Sequence, residues 1–228
     1  GSFWVGDYSQ QFPDRYANPE WKRPDLIVIW GNNPVVSNSD GLYGHWVVDC
    51  LKMGSRAIVV DPRMIWLASK AEHYLQIRPG TDGALALGIV NYLIENDLYD
   101  HEFVSLWCYG FDELAERAKE YPLGEVADIT GIPEEDIVAA ARAIAESDAV
   151  TLQWGVAIDQ VKETIPTAQA VLAIFEITGN IGKPGTMQQP ASLLNYAAGW
   201  GSEFLTPEQE AKRIGQAEHP LIRMGFQE

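Results

Sequence analysis

Two hydrophobic periods alternate along this chain. Leu26 to Trp30 is continuously apolar, the pattern of a strand buried on both faces. Leu42, Trp46, Val47, Cys50 and Leu51 then recur at helical spacing, and Gly54 is placed to end that helix. Residues 57–60 form a second apolar strand closed by "DPR", and residues 74–77 a third closed by "RPG". A long helix is predicted over 81–96, with Ala84, Leu85, Leu87, Gly88, Val90, Leu93 and Ile94 inside it. Further helices are predicted over 100–107, 112–119 and 133–145. In the last, Pro133 falls in the first turn, and Glu134, Glu135 and Asp136 suit the positive end of the helix dipole. Residues 150–154 read as a fourth strand and 164–178 as a helix stopped by "GNIGKPG". Residues 1–24 are an irregular, aromatic lead-in, and beyond Gln188 the period fades. The expected division is therefore a domain over 1–188 and a loosely specified tail over 189–228.

Apolar strands alternating with amphipathic helices predict an α/β fold: a Rossmann-like, doubly wound, mainly parallel sheet with helices on both faces. Such sheets bind ligands beyond the carboxyl ends of their strands, so the strand ends carry the functional information. After the first strand, Gly31 lets backbone approach a ligand closely. Asn32 and Asn33 can both donate and accept hydrogen bonds, and Ser37, Asn38 and Ser39 precede a helix whose positive end favours phosphate. Taken alone these residues read first as a turn and helix cap, and the dinucleotide fingerprint GxGxxG is absent. Asp61 closes the second strand, where an acidic residue either accepts from ribose hydroxyls or caps the next turn and pairs with Arg63. Asp82 opens the long helix, where a carboxylate either serves the helix dipole or accepts two parallel hydrogen bonds from the N1–H and 2-amine of guanine. Together the three positions describe a nucleotide, with phosphate at Gly31, ribose at Asp61 and base at Asp82.

Composition narrows the class. Against 16 basic residues stand 32 acidic ones, a formal net charge of -16, and with no basic cluster nucleic acid is excluded as a partner. Hydrophobic residues at 46% provide for a substantial core. No apolar run reaches membrane-spanning length. Cys50 and Cys108 are the two cysteines, and Cys50 reads as a core thiol on the apolar side of its helix. No CxxC occurs, no histidine has a partner at metal-ligand spacing, and no serine sits in a nucleophile elbow, so neither catalytic nor metal-ligating residues are assigned.

The segments "VIWGNNP", "GSRAIVVDPR", "ASKAEHYLQIRPGTDGALALGIVNYLIEN", "YGFDELAERA", "ITGIPEEDIVAAARAIA" and "ITGNIGKPG" resemble, in order and spacing, the central region of the molybdopterin oxidoreductases. These are the bis-molybdopterin guanine dinucleotide enzymes of the dimethyl sulfoxide reductase superfamily. The likeness runs over residues 25–185. Within the superfamily, "DGLYGHWVVDCLKMGSRAIVVDPRMIWLASKAE" and "LQWGVAIDQ" look most like the acetylene-hydratase-like branch.

The resemblance implies a Rossmann-like domain that holds one guanine dinucleotide arm of a molybdenum or tungsten cofactor. Trp30, Gly31, Asn32, Pro34 and Ser37 would then line the phosphate and pterin side, Asp61 and Arg63 the ribose, and Gly80, Thr81 and Asp82 the guanine. Trp154, Gly155 and Gln160 correspond to a loop against the pterin, with extra residues between Gly155 and Gln160 relative to some family members. It further implies an iron–sulfur cluster in a region upstream of this chain. Its partners would be the remaining domains of the same catalytic subunit and an electron-transfer subunit, and the excised piece would be inert alone. Two other classes fit the strand-end residues by themselves: a self-standing nucleotide-binding α/β dehydrogenase, and a non-catalytic scaffold with the same fold.

Overall fold

A computed structural model describes residues 22–37, 42–187 and 205–212. The chain divides into two compact units, Gly1–Gln189 and Pro190–Glu228. In the first unit four strands, β1 (Leu26–Trp30), β2 (Arg56–Val60), β3 (His73–Leu75) and β4 (Val150–Trp154), form one all-parallel sheet in the order β3-β2-β1-β4. β1 is therefore central. Leu26 to Trp30 pair with Arg56 to Val60 on one side and with Val150 to Trp154 on the other. That is why β1 is apolar at every position: all five side chains are buried.

Pleating sends alternate residues of each strand to opposite faces. Leu26, Val28 and Trp30, with Ile58, Val60, Leu152 and Trp154, face a large core built around helix α3 (Asp82–Glu95). Around α3 pack α5 (Phe111–Ala118), α6 (Leu123–Thr130), α7 (Glu134–Ala145) and α9 (Thr164–Ile177). Ile27, Ile29 and Val59 face a smaller core with Trp46, Val47 and Cys50 of α2 (Leu42–Lys52). Helices thus cover both faces, as the doubly wound reading requires, and Cys50 is a fully buried core thiol.

Several boundaries shift for identifiable reasons. β3 ends at Leu75, whose carbonyl takes the Asp61 N–H at 3.3 Å. The Arg78 N–H then turns away to the Thr130 carbonyl at 2.8 Å, which leaves Ile77 in the core but off the ladder. Asp100 stands outside its helix as the N-cap of α4 (His101–Trp107) and accepts from the Phe103 N–H at 2.8 Å. Pro133 is likewise the N-cap of α7 rather than a first-turn residue. In the first unit three short α-helices escaped the periodicity: α1 (Pro34–Ser37), α6, and α8 (Val156–Asp159). α1 and α8, at four residues each, span little more than one 3.6-residue turn and so show no period to read.

The lead-in lies largely outside the described residues. Of the tail, residues 205–212 are described and hold α10 (Pro207–Glu210), opened by a reciprocal cap between Thr206 and Gln209. Among the described residues no helix is long and apolar enough to cross a membrane, and no group of three or more His, Cys, Asp or Glu could hold a metal ion.

Candidate functional site

In this strand order the chain runs from β1 outward to β2 and β3, then returns to the other side of β1 for β4. The reversal leaves a topological switch point between the carboxyl ends of β1 and β4, where doubly wound folds place ligands. The loops leaving these two strands are fastened to each other. The Gly155 N–H reaches the Trp30 carbonyl at 3.0 Å, and Asn32 Nδ2 donates to the Trp154 carbonyl at 3.3 Å. Gly31 has a left-handed φ of +58°, yet the space a Cβ would fill there belongs to Ala157, 2.7 Å away. At Gly31 one loop approaches the next this closely.

Asp61 follows β2 directly and is 4% exposed. Its Oδ1 accepts from the Arg63 N–H at 2.8 Å, so one carboxylate oxygen caps the turn. The Arg63 guanidinium is mostly solvated and lies 3.8 Å from the same oxygen. Asp61 Oδ2 makes no hydrogen bond among the described residues, so turn-capping uses half of the group's capacity. Tyr74, at the end of β3, brings its phenol close enough to feel this carboxylate. Burial first, and the Asp61 charge second, push the Tyr74 pKa above its ordinary value. Its hydroxyl is buried without a hydrogen-bond partner among the described residues.

Asp82 is the first residue of α3 and 7% exposed. Its carboxylate does not cap that helix. Oδ1 accepts instead from Trp30 Nε1 at 2.8 Å, a buried bond joining residues 52 positions apart. Oδ2 has no partner among the described residues. Thr81 occupies the N-cap position, but its hydroxyl donates back to the Arg78 carbonyl at 2.7 Å. Gly80, with φ +83°, has open space where a side chain would be.

Other predicted residues are placed less directly. Pro34 is buried at the start of α1, and the Ser37 hydroxyl turns back to the Asn33 carbonyl at 2.8 Å. Trp154 is buried as the last residue of β4, and Gln160 is exposed just beyond α8. Asn38 and Ser39 lie outside the described residues.

Two features went unread in the sequence. Asn33 Oδ1 is buried and lacks a partner among the described residues, beside the β1 turn. A cleft of about 930 Å³ opens from Gly80, Thr81 and Gly83 and runs between α3, α5 and α9 past Cys108 and Glu176. Burial, then the Glu176 and Asp100 carboxylates, push the Cys108 thiol above its ordinary value, so the cleft offers no activated thiolate. Distances across a fold and unsatisfied atoms have no sequence signal; only the amides of "GNNP" hinted at Asn33.

These residues test whether a guanine dinucleotide fits. Asn33 presents a buried amide oxygen with no partner among the described residues, Gly80 leaves room, and the buried residues Asp61 and Asp82 each use Oδ1 in a hydrogen bond while Oδ2 has no donor among the described residues. Ribose hydroxyls and the guanine N–H edge are donors, so the donor–acceptor balance fits.

The fold defines a doubly wound α/β domain whose candidate site lies at the carboxyl edge of its sheet. The chain belongs to the molybdopterin oxidoreductase family, whose model matches residues 5–221. It is 36% identical over 179 residues to acetylene hydratase of Syntrophotalea acetylenica, covering 75% of this chain and 24% of that protein. It is 31% identical over 175 residues to F420-dependent formate dehydrogenase 1 subunit alpha of Methanococcus maripaludis, covering 77% and 26% respectively. The solved acetylene hydratase of Pelobacter acetylenicus superposes with a TM-score of 0.74 at 33% identity, over 86% of this chain and 27% of that one. This chain spans about a quarter of the length of these relatives.

Proposed function

We propose that this chain is the part of a molybdenum or tungsten catalytic subunit that holds one guanine dinucleotide arm of a bis-molybdopterin cofactor. The observation that carries the reading is Asp82, a buried residue at a helix start whose carboxylate does not cap its helix and whose Oδ2 has no partner among the described residues. Asp82, with Thr81 and the open ground at Gly80, would take the guanine. Asp61 would take the ribose hydroxyls through Oδ2, with Arg63 alongside. Trp30, Gly31, Asn32, Pro34 and Ser37 would line the phosphate and pterin side, joined by the Asn33 amide. Trp154, Gly155 and Gln160 would flank the pterin. When bound, the cofactor supplies a metal centre on dithiolene sulfurs for redox, oxygen-atom-transfer or hydration chemistry. This chain's residues bind and orient the arm. An iron–sulfur cluster, the remaining domains and an electron-transfer subunit belong to the rest of the assembly, and this piece alone is inert.

The test is Asp82→Asn in the full-length enzyme, with guanosine monophosphate released by acid hydrolysis as the readout. The substitution keeps the shape and removes the charge and one acceptor. Losing a charge-assisted hydrogen bond costs about 1.5–3 kcal/mol, so cofactor content should fall about tenfold or more in a protein that still folds. A full complement of guanine dinucleotide in this variant would refute base recognition at Asp82.

A further inference from the structure

We infer that Trp30 is the positioning residue for base selection, its indole N–H fixing the plane of the Asp82 carboxylate. This rests on the guanine reading of Asp82 and names what gives that site its geometry. Trp30 is the last residue of the central strand, held in register between Val60 and Trp154, and it is 1% exposed. Its ring is therefore locked by packing on a rigid element. From there Nε1 crosses to Asp82 Oδ1 at 2.8 Å.

The alternative state of Asp82 is easy to name. A carboxylate in the first turn of a helix ordinarily serves that helix's free N–H groups. Here Thr81 and Asp82 both stand at the start of α3, and neither side chain caps it. The indole bond holds Asp82 out of that state. It uses one lone pair of Oδ1 and leaves the second lone pair and all of Oδ2 in one plane. Guanine needs two coplanar acceptors for its N1–H and 2-amine. Without the indole N–H the carboxylate can rotate about χ2, so that one oxygen still meets the N1–H shared by guanine and hypoxanthine while the second leaves the plane in which the 2-amine needs it.

Trp30→Phe keeps an apolar ring in the core and removes the donor. The readout is discrimination between guanine and hypoxanthine, which differ only in the 2-amine. Full-length apoenzyme, prepared without cofactor, is titrated calorimetrically with GDP and IDP. The wild type is expected to bind GDP about tenfold to a hundredfold tighter than IDP, the worth of one charge-assisted hydrogen bond. In Trp30→Phe the ratio should collapse toward one, while IDP affinity stays within about threefold of wild type. A merely structural role for Trp30 would weaken both nucleotides together.

Discrimination that survives Trp30→Phe overturns the positioning role alone. A wild type that binds GDP and IDP equally, or binds neither, overturns the base reading and the positioning role with it. If Trp30→Phe does not fold, the wild-type Trp30 indole N–H is followed by ¹⁵N NMR. A shift on adding GDP that is larger than the shift with IDP supports the role, and equal or absent shifts overturn it.

Discussion

Replacing Gly155 with alanine should pull apart the two loops that form the switch point. Gly155 has an extended backbone, φ −120° and ψ −178°, which any residue adopts, so the substitution carries no conformational strain of its own. The cost comes from contact. A Cβ there would stand 2.9 Å from Asn32 Cα and well inside contact with the Gly31 carbonyl oxygen. Carbon atoms pack at about 3.5–4.0 Å, so the loops must separate by about 1 Å. Overpacking of this kind costs about 1–3 kcal/mol. The Gly155–Trp30 bond at 3.0 Å and the Asn32–Trp154 bond at 3.3 Å would both stretch beyond useful length, at about 1 kcal/mol each. The expected loss is about 2–5 kcal/mol, a drop of roughly 1 M or more in the urea midpoint. Trp30 and Trp154, both buried at the junction, supply the fluorescence signal. Gly54→Ala is the control: φ is +97° with open space around it, so it carries backbone strain of about 1–2 kcal/mol and no clash. A Gly155→Ala protein no less stable than Gly54→Ala would refute the contact argument.

Two further outcomes are expected. The 228-residue chain by itself should carry no stoichiometric molybdenum, tungsten or iron and show no redox or hydratase turnover, which elemental analysis and activity assays check; bound metal would contradict it. Tyr74→Phe removes a buried hydroxyl with no partner, so at pH 7 stability should be unchanged or higher by about 1 kcal/mol. Because the folded Tyr74 pKa lies above its unfolded value of 10.0, the wild type loses stability as pH rises past that value and through the folded pKa. The variant should escape this loss, and a gap that fails to widen above pH 10 in urea titrations would count against the placement of Tyr74 beside Asp61.

The fold was legible where a long or continuous pattern existed. β1 is apolar throughout, and β2 after Arg56 and β4 apart from Thr151 and Gln153 are nearly so, because each is covered on both faces, and α3, α7 and α9 are long enough for their period to show. The site was legible as residue types at strand ends, and its wiring was not. At Asp61 the structure shows the turn-capping reading, through one oxygen, and the ribose reading stays a proposal. At Asp82 the local sequence left a helix-start role and base recognition both open. The structure turns the carboxylate to an indole 52 residues away, a pairing that only the tertiary fold creates. At Gly31 the glycine is required by a left-handed φ and by Ala157, a neighbour that no local pattern announces.

The two carboxylates also constrain the shape of any ligand they share. Asp61 continues the β2 parity of Val59, which faces the α2 core, and it acts on Tyr74, which packs against that same core. Asp82 is tied to Trp30, which faces the α3 core on the opposite side of the sheet. A ligand engaging both must therefore cross the carboxyl edge of the sheet from one layer to the other. A compact metabolite filling a pocket in either layer reaches only one of them. An extended molecule with separate hydroxyl-bearing and base-bearing parts reaches both, provided its links lie over the Gly31 and Gly155 loops. Those loops offer backbone and amide groups, and Arg63, the cation beside Asp61, is mostly solvated. In a chain of net charge -16, that arrangement favours a ligand recognised by directed hydrogen bonds over one drawn in by charge.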